Sequence, residues 1–129
     1  MTYTADTADI EVEEETFPVK RVITKETIEV TCNMAQNNIT NLNTALAGGI
    51  LAGVNITLGL GLVKPIAVKI VGTLLGTGGA LNRTVHIGYC QAIGAVGQSY
   101  LKGVKTLVPV TFQGYQNTAG GTVCTISDA

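Results

Sequence analysis

Within residues 27–49, TIEVTCNMAQNNITNLNTALAGG, the apolar period changes from two to about 3.6, and this change restricts the fold more than any other stretch of the chain. Ile28, Val30, Cys32 and Met34 alternate with Thr27, Glu29, Thr31 and Asn33, which predicts a strand with one buried and one wet face. Asn37 and Asn38 then offer side-chain oxygens to the free amides of a first helical turn, and Ile39, Leu42 and Leu46 follow at helical spacing. With Gly48-Gly49 as a left-handed terminator, the spacing predicts one helix over residues 38–47. Its single apolar stripe, Ile39, Leu42 and Leu46, has to lie on the face of a sheet.

What remains of the chain supplies that sheet. Ile10 and Val12 alternate with Glu11, Glu13 and Glu15, which predicts a first strand with an acidic face, ended by Phe17-Pro18. Val19 to Met34 reads as a long second strand whose Lys20, Arg21 and Lys25 meet acidic neighbours if the two pair as a hairpin. Ile56, Leu58, Leu60 and Leu62 alternate with Thr57, Gly59 and Gly61 and read as a further strand. Residues 65–75 follow with Ile66, Val68 and Ile70 on one side and Lys69 on the other, then a reversal at 76–79. Residues 84–92 put Val85, Ile87 and Tyr89 on one face and His86 opposite. Residues 95–105, basic and glycine-rich, read as a loop or an irregular edge, and 106–115 as a strand whose Pro109 marks an edge or a bulge. Residues 122–127 close the chain as a strand hairpin-paired with the one before. The count is six to eight strands and one helix in a single domain. The predicted class is mainly β (α+β): a small two-sheet antiparallel β-sandwich or barrel with one flanking helix.

Composition sharpens this. The core has to be built from Val, Ile, Leu and Ala, because there are two Phe, four Tyr and no Trp against 16 Gly. So thin a core leaves stability to be gained from assembly. The net charge of −1 conceals a bipolar chain. Eight of nine acidic residues lie in the first 29 positions beside three cations, which gives −5, and five cations against Asp128 give +4 thereafter. Such a chain is suited to head-to-tail self-association, and its acidic half disfavours tight binding of nucleic acid. Cys32, Cys90 and Cys124 show no ligand spacing and read as reduced, buried thiols of a protein folded in the cytoplasm. No charged leader followed by an apolar run opens the chain, so no signal peptide is expected.

Functional motifs are scarce. The 19 uncharged residues 45–63 reach the lower limit for a membrane span and contain Gly49-Ile-Leu-Ala-Gly53, but five glycines and a two-residue period argue against a spanning helix. With one His and no GxSxG, P-loop or strand-linked GxGxxG, neither nucleophilic catalysis nor nucleotide binding has its parts, and neither a metal nor a cofactor is expected. Glu13, Glu14 and Glu15 read as a solvated charge run before a glycosidase pair. The sequons at Asn38, Asn55 and Asn82 carry little weight in such a chain.

Three stretches resemble the major tail tube proteins of long-tailed phages: DIEVEEETFPVKRVITKETIEVTCNMA, NNITNLNTALAGG and LVPVTFQGYQNTAGGTVCTISDA. The first is similar to that family's acidic strand, PVK turn and threonine-rich strand, the second to its helix ending in small residues, the third to its closing hairpin. The resemblance implies a β-sandwich or barrel with a flanking helix, six copies to a ring, and rings stacked into a tube that passes DNA. It implies a structural protein and not an enzyme, located in the virion tail after assembly in a bacterial cytoplasm. Its expected partners are itself, other tail proteins and DNA in transit, without a membrane. Glu11, Glu13, Glu15, Lys20 and Arg21 are then expected at the lumen or a subunit interface. Family members usually carry further sequence before the acidic strand, so a first strand is expected to be missing here. Capsid decoration or connector proteins are the alternative assembly class, and a small ligand-binding barrel is an alternative of another kind.

Overall fold

The computed structural model of the protein describes the chain except residues 15, 19, 63, 77–78, 99–101 and 119, with residues 74–76 and 79–80 described by their backbone alone. The fold is mainly β, 55% strand against 6% helix, with antiparallel sheets and one flanking helix. In chain order the elements are β1 (Thr2–Ile10), β2 (Lys20–Met34), α1 (Ile39–Ala45), β3 (Ile50–Ala52), β4 (Asn55–Thr57), β5 (Ile66–Gly76), β6 (Gly79–Ile93), β7 (Val108–Gly114) and β8 (Cys124–Asp128). Six strands form one sheet in the order β1-β2-β7-β6-β5 with β8 also on β6, while β3 and β4 form a separate two-stranded sheet.

The period switch behaves as its residues require. Asn38 caps α1, its side chain accepting the Asn41 amide at 2.8 Å, and the Asn41 side chain donates back to the Gln36 carbonyl. The helix ends at Ala45, with Leu46 as C-cap donating its amide to the Leu42 carbonyl. Gly48 and Gly49 are not left-handed as expected, because the left-handed glycines are Gly53, Gly59, Gly61, Gly94, Gly103 and Gly120. Gly49 serves close packing instead: a Cβ there would lie 2.8 Å from Asn43 Oδ1 and 3.0 Å from Ile56 Cγ2. α1 lies on β7 and β6 and touches β3 and β4. Ala45 and Leu42 join it to a core of Val30, Ile87, Cys90, Ala92, Val108, Val110 and Phe112. Ile39 and Leu46 are half-buried, so Ala45 takes the place in the core that the spacing assigned to Leu46.

β6 organises the sheet. Its buried positions are Val85 and Ile87, then Cys90 and Ala92, a change of parity that a bulge produces: β5 advances from Ile66 to Val68 while β6 crosses from Cys90 to Ile87. The bulge turns Tyr89 outward to 41% exposure, away from the face shared by Val85 and Ile87. At the same place β6 changes partner. Cys90–Ile93 pairs with β7, and Arg83–Ile87 pairs with β8. The expected β7–β8 hairpin is therefore not formed. β7 ends at Gly114 opposite Cys90, leaving the edge of β6 beyond it free, and β8 returns after residues 115–123 to continue the same line along that edge. Pro109 lies in the first part of β7, where β2 alone is the partner; the ladder to β6 begins at Thr111.

Two further expectations change. The run containing Leu58, Leu60 and Leu62 is not a strand, because Gly59 at φ 93° and Gly61 at φ 64° break the extended chain after β4 and leave the three leucines exposed. Cys32 is exposed and Cys124 half-buried; only Cys90 is a buried thiol. Cys32 follows Val30 on one face of β2, but α1 covers β7 and β6. The expected reversal at 76–79 pairs Gly76 with Gly79, while Thr77 and Gly78 lie outside the described residues, as does Val19. No helix among the described residues is long and apolar enough to cross a membrane.

Candidate assembly surface

β1 and β2 make a hairpin that leaves the core behind. β2 pairs with β7 only over Glu29–Met34, so Lys20–Ile28 is hydrogen-bonded as a strand to β1 alone, with Ile28 still packed on the core. Every residue of β1 but Ala5 is exposed. A two-stranded ribbon with so little cover is marginal in water by itself. Its register is held by local polar contacts. Arg21 grips Asp9 through two nitrogens, Nε to Oδ1 at 2.6 Å and Nη2 to Oδ2 at 3.2 Å. The Tyr3 hydroxyl donates to Glu26, and Thr24, the extra residue of a bulge between Asp6 and Thr7, donates to the Asp6 carbonyl. Hydrogen bonding to Arg21 holds the Asp9 carboxyl below the usual carboxylate range.

The expected site residues fall at the far end of this arm. β1 ends at Ile10, so Glu11 and Glu13 lie in the connection at the tip and not on a strand face, where like charges at alternate positions would repel. Glu15 lies outside the described residues. Lys20 opposes Ile10 at the start of β2, and of the three cations expected opposite acids, Arg21 and Lys25 meet Asp9 and Asp6. Glu11, Val12, Glu13, Thr16 and Phe17 enclose a concavity of about 340 Å³, with Phe17 80% exposed.

A larger cleft of about 850 Å³ opens where β2 leaves β7 while β8 stays on β6. Tyr3, Glu26, Ile28, Tyr115, Val123 and Ile126 line it. Among the described residues β8 is paired on one edge only, so the cleft is bordered by unpaired backbone as well as by side chains. Sequence reasoning missed it, because it depends on β8 choosing β6 over β7. Gly114 marks the divergence: a Cβ there would lie 2.9 Å from Val123 Cγ1.

A basic turn leads into β7, whose first residue pairs with the far end of β2. Residues 102–105, before β7, are all exposed and bring Lys102 and Lys105 to either side of Val104, itself 61% exposed. Among the described residues, ion pairs join Arg21 to Asp9 and Arg83 to Asp128; Glu11, Glu13, Glu14, Lys102 and Lys105 belong to neither. Lys64 is different: its ammonium donates to the Asn43 carbonyl at 2.8 Å and burial lowers its pKa. No group of three His, Cys, Asp or Glu among the described residues is placed to hold a metal ion, and no charged side chain there is buried.

The whole surface is large for the chain. Its 9213 Å² exceeds by roughly 2,700 Å² the value of about 6,500 Å² that a compact monomer of 13.4 kDa would expose. Large apolar side chains are among the exposed ones, with Tyr3, Ile10, Ile23, Val54, Leu58 and Leu60 each more than 45% exposed. Compared with known proteins, the chain matches no family model, no curated protein and no solved structure.

Proposed function

We propose that the protein is a structural, self-assembling subunit of a phage tail tube: six copies to a ring, rings stacked about a lumen through which DNA passes. The observation that carries this reading is the surface excess, together with a ribbon arm whose β1 is exposed at every position but Ala5. A surplus of roughly 2,700 Å² falls within the range buried by obligate interfaces, and a marginal hairpin gains its stability by lying against neighbours. Arms placed side by side around a ring would continue one another's sheets and form the wall of the lumen. Acidic residues on an arm suit a passage through which DNA slides without being held. Capsid decoration or connector proteins are the alternative assembly, and the shape of the particle separates them from a tube.

Size-exclusion chromatography coupled to light scattering tests the reading on the purified chain. The expected mass is that of a hexamer or a multiple of it, rising with concentration. A monomer at every concentration refutes self-assembly, and a closed trimer favours a decoration protein.

A further inference from the structure

Two exposed patches of opposite charge lie at the two ends of β2. The tip of the β1–β2 arm adjoins Lys20, where β2 begins, and residues 102–105 lead into Val108, which pairs with Met34, where β2 ends. Fifteen residues of strand separate the ends, a span of about 45 Å. At one end Glu11 and Glu13 flank Val12, with Glu14 beside them, over the concavity walled by Phe17. At the other, Lys102 and Lys105 flank Val104. Each patch thus places an exposed apolar side chain between two charges, and the signs are complementary.

We propose that the acidic tip of one copy docks on the basic turn 102–105 of a second copy. This rests on the assembly reading above and names its propagating contact. A lysine side chain suits the tip concavity, its methylene stem along Phe17 and Val12 and its ammonium between Glu11 and Glu13. Because the two patches sit at opposite ends of a strand, the contact is heterologous. One copy's tip on its neighbour's turn leaves a free turn and a free tip, and the series continues along β2 instead of closing as a two-fold dimer. Both patches are charged and open to water, so the contact weakens as salt screens it.

A charge-swap series on the full chain tests this, read by sedimentation velocity and light scattering, with circular dichroism and melting curves as controls for folding. Lys102→Glu with Lys105→Glu, and separately Glu11→Lys with Glu13→Lys, each raise the concentration needed for higher-order assembly at least about tenfold. The fourfold variant carrying both swaps returns to within about threefold of the parent, and about 0.5 M salt disperses the parent but not isolated rings. If the parent polymerises and the double variants polymerise equally well, the contact is wrong while the tube reading stands. Double variants that fold and lose assembly without rescue in the fourfold variant also overturn it. A parent chain that stays monomeric at low salt overturns the contact and the tube reading together.

Discussion

At the scale of single residues, the paired carboxylates make the clearest prediction. Arg83 holds Asp128 by Nε and Nη2, both at 2.7 Å, as Arg21 holds Asp9. Both carboxyls titrate below their usual range because they accept from a guanidinium. A carboxyl lowered on folding contributes stability that is present above its unfolded pKa, near pH 4, and lost as pH falls through the lower folded value. The melting temperature should therefore hold between pH 5 and 7 and decline below about pH 4, and the decline should shrink in Asp9→Asn and Asp128→Asn variants. Since both pairs are exposed, their share of stability is small. The thiols give a second test. Cys90 is fully buried, donates to the Ile66 carbonyl, and has its pKa raised by burial, so it should resist iodoacetamide until the protein unfolds. Cys32 is exposed and should alkylate in the native state. Mass spectrometry of the modified peptides distinguishes the two.

At the scale of elements, α1 and the β3–β4 hairpin should stand or fall together. Gly49→Ala drives a methyl group against Asn43 and Ile56 and is expected to cost about 1 to 3 kcal/mol in chemical denaturation. Leu42→Ala, at a half-buried position on the core, should cost about 2 kcal/mol. Elements whose signal is local were legible in the sequence. The period of Ile28 to Met34, the Asn38 cap and the alternation of Ile66, Val68 and Ile70 follow from neighbours within one element; the first hairpin forms as well, but its β1 is Thr2–Ile10, ahead of the Ile10–Glu15 alternation expected to make it. Elements decided by competition for an edge were not. β8 takes the edge of β6 that β7 leaves at Gly114, and the bulge that exposes Tyr89 falls at the same place, where residues far apart in sequence meet. Leu58, Leu60 and Leu62 misled for a further reason: glycine permits both extended and left-handed backbone, so Gly59 and Gly61 left the alternation uninformative. The expected surface residues divide in the same way, since Arg21 sits where pairing predicted while Glu11 and Glu13 lie in the turn beyond the strand.

At the scale of the whole molecule, the small core and the large surface belong to one design. The buried cluster is built from Val, Ile, Ala and Cys with a single Phe, while β1 and the first half of β2 extend from it with little cover. A monomer of this kind should melt at a temperature that climbs with protein concentration, because assembly stabilises the folded chain by mass action. Electron microscopy of the purified protein at low salt and high concentration shows whether the chain builds a tube. Hollow tubes of stacked six-fold rings are the predicted result. A field of single small particles at every concentration, or closed non-stacking assemblies with no lumen, would rule out a tube subunit.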